Sequence, residues 1–443
     1  MVASLCDDAT QASGFPLPAF GSNRGATPRG DTVRGARGAQ HVAMPQSASE
    51  DVAPTRKRKK KKRKGPLKVH RYGGWLLYFW HGMRPGVWLG LMWRNRFRVT
   101  LNCLPNILVV TLFSPLNTLL YWLSEAVYRR RAAAVRFDEP PVFVLGHWRS
   151  GTTLLHDLLS CDPAFGYPTT YACFFPSHFV LTERTARAWF DLFLPKKRPM
   201  DNMSVGFDRP QEDEFALCNL GLGSIYRTMA FPRAGPVDGR YFDLSELTDD
   251  ERRTWIDGFL WFIRRVALRQ RKRLILKSPI HTARVATMLE LFPDARFVFI
   301  SRDPFAVFPS TMRLWKSLNS VQGLQNPARD DPWLEDFVLS NFERMDASYA
   351  RDRERVPKGQ LVEVRYEELV ADPKAALRRI YDGLGLGPFA RAEAAVDDYL
   401  GRMKDYRTNV YELPAEKRAL VETRWAAYIA RYGYGRAPAG TAT

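Results

Sequence analysis

The chain has 443 residues, 66 of them lysine or arginine against 47 acidic ones, for a formal net charge of +19. That length exceeds the usual single-domain size, and a large α/β core with appendages fits it. Its five cysteines, Cys6, Cys103, Cys161, Cys173 and Cys218, show no Cys-x-x-Cys spacing, which excludes a disulfide framework or zinc site and gives reduced thiols in a cytosolic protein.

Residues 1 to 54 are rich in Gly, Ala, Ser, Pro and Arg without an apolar period and are expected to be disordered. Met1 to Ser13 lacks the basic start and apolar core of a secretory signal. Arg56 to Lys64 is a run of nine cations, so residues 1–65 alone carry +8, from 13 basic and 5 acidic residues. The plain reading is a solvated tail, and the functional one is a contact with anionic lipid headgroups. No base-reading module accompanies the charge, so no specific nucleic-acid partner is expected.

Residues 66–139 read as a helical, aromatic-rich extension. Trp75, Trp80, Trp88 and Trp93 lead to Arg94, Arg96 and Arg98, and Ile107 to Ser124 contains no charged residue. That stretch is long enough for a membrane span. Pro115 and Asn117 stand against one, and arginines on both sides give no orientation. The favoured reading is helices packed on the following domain, with an in-plane or re-entrant membrane contact and a true span as alternatives. The localisation expected is cytoplasmic, with association to a membrane surface.

The domain at residues 140–435 opens with Val142-Phe143-Val144-Leu145, a buried strand, then Gly146-x4-Gly151-Thr152-Thr153, then the helical spacing Leu154, Leu155, Leu158, Leu159. Glycines at such a turn let backbone N–H groups close on a phosphate at the helix N-terminus. A nucleotide hydrolase has Lys where Thr152 stands, whereas here the cation, Arg149, lies inside the loop. Tyr167 to Pro176 reads as a loop, and Ser177 to Leu194 and Asp249 to Gln270 as helices. Strands end at Lys277, Ser301 and Tyr366, separated by helices at Thr282–Leu291, Phe305–Leu318 and Pro332–Val356. Further helices are expected at Lys374–Leu386 and Ala415–Tyr432, and a disordered end at 436–443. This alternation gives an α/β fold, a P-loop-type parallel sheet flanked by helices. Ligands bind at the carboxyl ends of such strands, so Lys277 and Arg302 are expected to share a crevice with Arg149. Asp303 precedes Pro304 and reads as a helix cap rather than a metal ligand.

Arg149-Ser150-Gly151-Thr152-Thr153, Lys277-Ser278-Pro279, and Arg302 followed eight residues later by Ser310 resemble the sulfotransferases that use 3′-phosphoadenosine 5′-phosphosulfate (PAPS), over about residues 141 to 435. The resemblance is closer to the Golgi-type and tyrosyl-protein branches than to the cytosolic one. It implies that Arg149, Ser150, Gly151, Thr152 and Thr153 hold the 5′-phosphosulfate, and Arg302 and Ser310 the 3′-phosphate. Val362 to Leu369 resembles the family's later strand and Tyr-Glu-Asp-Leu element, which implies that Tyr366 lies against the adenine. Ser310 is two helical turns from Arg302, so it reaches that phosphate only if the helix starts after Arg302 or bends. The family's C-terminal Arg-Lys-Gly element is absent, with Lys404 to Asn409 as its candidate replacement.

The implied reaction is in-line transfer of a sulfuryl group to a hydroxyl or amine, without a metal. Fixed cations can stabilise its transition state, and Arg149 and Lys277 are the candidates. Cytosolic relatives carry a His after that Lys, where this chain has Ser278 and Pro279. The resemblance to the branches that use a carboxylate implies a carboxylate base, Glu212 first because it follows Pro210 at a helix start and Glu214 next, with His147, His156, His178 and His281 as weaker candidates. The acceptor, a carbohydrate, phenol, lipid or peptide, would be received by loops around residues 165–240 and 313–331, which carry Tyr171, Phe174, Phe175, Arg227, Arg313 and Trp315. Two other readings stand beside this one: a P-loop NTPase or small-molecule kinase using ATP and Mg, and a non-catalytic membrane-surface binding protein.

Overall fold

Apolar runs too short for helices become the strands β1 (Val142–Leu145), β2 (Phe165–Gly166), β3 (Arg273–Lys277), β4 (Arg296–Ser301) and β5 (Leu361–Arg365). The computed structural model describes residues 78–190, 206–328, 331–403 and 412–435, which leaves the polybasic run, residues 404–409 and the C-terminal 436–443 outside the described residues. The strands form one parallel sheet in the order β2-β3-β1-β4-β5. Val144 pairs with Lys277, Leu145 with Phe299, and Ser301 with Arg365, so the strands finish at one edge. β1 is central and buried along its whole length, as expected of a parallel strand covered on both faces.

Alternate residues go to opposite faces. Phe143, Leu145, Leu276, Phe297 and Phe299 join one core, while Val142, Val144, Ile275, Val298 and Ile300 join the other. Among the described residues the first α-helices are α1 (Pro85–Arg94) and α2 (Leu104–Ala133), and α3 (Thr152–Leu159) follows β1. Next come α4 (Thr170–Phe174), α5 (Phe179–Phe190), α6 (Asp213–Leu220), α7 (Asp249–Gln270), α8 (Val285–Leu291), α9 (Pro304–Val321) and α10 (Leu334–Asp352). After β5 lie α11 (Tyr366–Ala371), α12 (Pro373–Leu384), α13 (Ala390–Arg402), α14 (Ala415–Arg424) and α15 (Ala426–Tyr432). Leu155, Leu158 and Leu159 of α3, with Leu377 and Ile380 of α12 and Val396 of α13, cover one face. Phe259, Phe262 and Ile263 of α7 and Phe342 of α10 cover the other.

α7 has both ends expected from sequence. Thr248 and Glu251 close a capping box at its start, and Arg271 turns left-handed after its end. Elsewhere the elements differ. The loop expected at Tyr167–Pro176 contains α4, because the Thr169 hydroxyl accepts from the Ala172 N–H and caps a helical turn. The helix expected from Thr282 begins instead as a 3-10 turn at Pro279–Ala283, and only then becomes α8. The terminal helix breaks at Trp425 into α14 and α15. β2 and α13 were not expected, since two residues are too few for a period and the buried side of α13 carries small alanine with only Val396 and Tyr399 as large apolar residues.

α2 runs unbroken through Pro115. Proline removes the bond to the carbonyl four residues earlier, and that carbonyl, of Thr111, accepts the Ser114 hydroxyl instead at 3.0 Å. The helix packs on α5 and α7, and its inward face mixes Val110, Tyr121 and Ala132 with the buried polar residues Asn106, Ser114, Asn117 and Ser124. Asn117 donates to the carbonyls of His81 (2.6 Å) and Met83 (3.0 Å) and accepts from His178 Nε2. The segment Leu101–Ala133 is long and apolar enough to cross a membrane, with a mean hydropathy of 1.6 in its richest window.

Candidate active site

The loop between β1 and α3 is fixed by conformations that its side chains dictate. Gly146 has φ +141, and a Cβ there would lie 2.7 Å from the Ile300 carbonyl oxygen. Gly151 has φ +104, and a Cβ would lie 2.4 Å from the ring of Tyr366. Between them Arg149 takes the left-handed φ of +69. The Ser150 hydroxyl donates to the His147 carbonyl at 2.7 Å, and the Gly146 N–H donates to Thr282 Oγ1 at 2.7 Å. No side chain caps α3. Its first-turn N–H groups and the positive end of its dipole therefore make an anion cradle with the loop.

Three distant segments close on this loop. Arg149 Nε donates to Ser310 Oγ at 2.9 Å, and Arg302 Nη1 donates to the Arg149 carbonyl at 2.7 Å. The Arg302 guanidinium lies 4.0 Å from the centre of the Tyr366 ring, a cation–π contact. Ser310 comes within reach because α9 starts after Arg302, at Pro304, with Asp303 as its cap accepting from the Phe305 N–H at 2.9 Å. Tyr428 of α15 anchors Arg302 from behind. Its hydroxyl accepts from the Arg302 N–H at 2.9 Å and donates to the Arg302 carbonyl at 3.1 Å.

Lys277, at the end of β3, is buried, and its ammonium donates to Glu212 Oε1 at 2.8 Å. The other Glu212 oxygen accepts from the Tyr226 hydroxyl, which in turn accepts from Trp148 Nε1 at 2.7 Å. Burial first, and then the charge of Glu212, push the Tyr226 phenol well above its ordinary pKa, so it stays a donor. Trp148 precedes Arg149 in the loop, so this chain of bonds runs from the end of β3 back to the loop.

Three successive carboxylates at the start of α6 take three different partners. Glu212 joins Lys277, Asp213 accepts from His281 Nε2 at 2.8 Å, and Glu214 is buried against Arg284 at 2.6 Å. Glu214 with Arg284 and Asp213 with His281 are shut away from solvent on both sides, whereas Glu212, paired with Lys277, keeps part of its side chain exposed. The candidate histidines are all buried. Burial lowers His147 to about 3 and His178 to about 4, and lowers His156 well below its ordinary value. His147 Nδ1 donates to the Trp148 carbonyl at 2.9 Å.

The residues expected to line an acceptor pocket are largely elsewhere. Tyr171, Phe175 and Trp315 are buried in the core, where aromatic rings find their largest burial gain. Arg227 is ion-paired with Asp238, Phe174 packs on Phe79, and Arg313 is exposed. Sequence reasoning missed Trp148, Tyr226, Thr282 and Tyr428. Trp148 stood in plain view inside the glycine frame, but Tyr226 lies in a 3-10 turn (Ile225–Met229) that carries no motif.

A parallel sheet with a phosphate-type loop after its central strand defines a P-loop-type α/β enzyme of group transfer. A model of the Sulfotransferase family matches residues 140–390, and the chain belongs to that family. It is 40% identical over 369 residues to the omega-hydroxy-beta-dihydromenaquinone-9 sulfotransferase Stf3 of Mycobacterium bovis, a match covering 83% of this chain and 94% of the relative. The Mycobacterium tuberculosis Stf3 matches equally. In structure the chain is similar to sulfotransferase STF9 of Mycobacterium avium, with a TM-score of 0.58 at 19% identity over 80% of this chain and 97% of the other. STF1 of M. tuberculosis gives a TM-score of 0.55 at 20% identity over 77% and 90%. The protein is therefore a sulfuryl-transferring enzyme. The kinase and non-catalytic readings are not favoured.

Proposed function

We propose that this enzyme moves a sulfuryl group from PAPS to a hydroxyl on a lipid acceptor of the isoprenoid quinol class. The observation that carries the donor half is the doubly used Arg149: its side chain holds Ser310 while its carbonyl holds Arg302. A ligand with one phosphate at the loop and another at Arg302 would touch both ends of that link. The glycine cradle and the uncapped α3 fit the 5′-phosphosulfate along Arg149, Ser150, Gly151, Thr152 and Thr153. Arg302 and Ser310 would take the 3′-phosphate and Tyr366 the adenine. The 40% identical relative, named for a hydroxylated menaquinone, supports the acceptor class.

PAPS supplies an activated sulfuryl group whose leaving atom is a phosphate oxygen. The protein supplies charge and position. Arg149 and Lys277 would offer positive charge to the oxygens that gain negative charge, and as fixed cations they would do so without a metal. An ammonium has three donors, so Lys277, while holding Glu212, would keep donors for the leaving phosphate. Glu212 accepts the acceptor's hydroxyl proton, with Tyr226 holding its second oxygen.

The test is incubation with PAPS and an ω-hydroxylated isoprenoid quinol, with mass spectrometry of the product. Gain of one SO₃ by the wild type, retained in EDTA and lost in Glu212→Gln, is expected. No transfer to the lipid alongside transfer to a sugar or phenol would discard the acceptor class. Transfer by Glu212→Gln at the wild-type rate would discard the base.

A further inference from the structure

We propose that α2 and the end of α1 form a monotopic docking surface for an anionic lipid bilayer. The proposal rests on burial and charge alone and holds whatever the acceptor proves to be.

α2 departs from the usual pattern of a surface helix, because polar residues share its protein side with Val110, Tyr121 and Ala132 while its outer side is apolar. Its polar residues Asn106, Ser114, Asn117 and Ser124 are buried on the protein side, while the outer face carries Leu104, Leu108, Leu112, Leu119, Leu123 and Val127, all exposed. Their spacing of four, four, seven, four and four residues keeps them in one stripe. Leu112 is 68% exposed and Trp122 64%, and the stripe continues into Leu101 at 80% and Trp93 at 72%. A continuous apolar patch of this length marks an interaction surface rather than scattered surface residues. Buried contacts recur from Asn106 to Ala132, so the helix lies along the protein for nearly its whole length. It is therefore suited to lie in a membrane plane and not to cross it alone.

Charge selects the occupant. Arg94, Arg96 and Arg98 are exposed at one end of the stripe, and Arg129, Arg130 and Arg131 at the other. The single acidic residue of α2, Glu125, is turned inward onto Arg265. Beside Trp93 and Phe97 lies a pocket of about 550 Å³ lined by Arg94, Arg96, Arg98 and Arg233 with no acidic residue. Apolar side chains rimmed by arginine match the acyl and phosphate layers of an anionic leaflet, and the pocket suits a lipid phosphate. A second copy of the same surface would instead bring six arginines against six.

The experiment is flotation of the full chain with vesicles of phosphatidylcholine, alone or mixed with phosphatidylglycerol. The variants are Leu112→Glu/Leu119→Glu/Trp122→Glu, Arg96→Gln/Arg98→Gln, and a chain with residues 56–64 changed to Gln. Binding of adenosine 3′,5′-bisphosphate reports that each remains folded. The wild type should float with mixed vesicles, the stripe variant should lose at least about tenfold in partition, and the arginine variant should lose its preference for phosphatidylglycerol. A stripe variant that floats like the wild type, with binding lost only on changing residues 56–64, would overturn the proposal. So would a wild type that ignores vesicles and forms a dimer, by light scattering, that the stripe variant breaks.

Discussion

The loop after β1 and the helix α2 solve opposite problems with similar residues. At the loop, arginine and lysine are drawn in from three strand ends and held by hydroxyls, a carboxylate and a carbonyl. On α2, amides and hydroxyls are drawn in to bond the protein while leucines face out. The first arrangement concentrates charge where an anionic ligand can repay its desolvation. The second leaves apolar area whose burial must come from outside the chain. Polarity thus follows what each face meets, not distance from the centre of the molecule.

Substitutions separate the two regions by the size and kind of their effects. Lys277→Ala or Arg149→Ala is expected to lower turnover by roughly 10²–10³, measured as kcat with saturating PAPS on the folded fraction, and Lys277→Ala also to cost stability because it strands the Glu212 carboxylate. Arg302→Ala should weaken adenosine 3′,5′-bisphosphate binding by about 10- to 100-fold, from lost charge-assisted bonds. Asn117→Ala should act on stability instead. It strands the His81 and Met83 carbonyls, for a loss of about 1–3 kcal/mol in urea unfolding. Leu112→Glu, on the outer face of the same helix, should change that stability by no more than about 0.5 kcal/mol. If Leu112→Glu destabilised the fold as much as Asn117→Ala, the outward face would be part of the core and the contrast would fail.

Acid distinguishes the regions more gently. Burial holds His81 and His178 at about 4 and His147 at about 3, below the ~6.5 of an unfolded histidine. Between those values the unfolded chain binds the extra protons. Stability is therefore full above pH ~6.5 and lost as pH falls, by up to about 1.4 kcal/mol per pH unit for each histidine. The melting temperature should decline from about pH 7 to about pH 5, and His147→Asn should remove one histidine's share of the slope. An unchanged melting temperature would mean that these histidines are hydrated.

The sheet was legible because its strands are unbroken apolar runs bounded by Gly, Pro and charge, and α7 because Trp255, Phe259, Phe262, Ile263 and Val266 recur at helical spacing. The loop was legible because Gly146 and Gly151 occupy conformations that other residues would strain. What sequence could not give depends on tertiary contact. Tyr226 is joined to Glu212 by a fold in the chain, and nothing in its neighbours announces that bond. Tyr171, Phe175 and Trp315 looked like pocket residues because an aromatic residue reads alike in sequence whether it lines a cleft or fills the core. α2 was ambiguous because composition records how apolar a helix is and not which side its amides face.

The most direct test of the central claim is titration calorimetry with adenosine 3′,5′-bisphosphate and, separately, ATP plus Mg. The account predicts tight binding of the bisphosphate, weakened in Arg302→Ala and in Arg149→Ala alike, since both arginines meet on one loop. Tight ATP binding with no heat from the bisphosphate, or a bisphosphate affinity indifferent to either arginine, would contradict it.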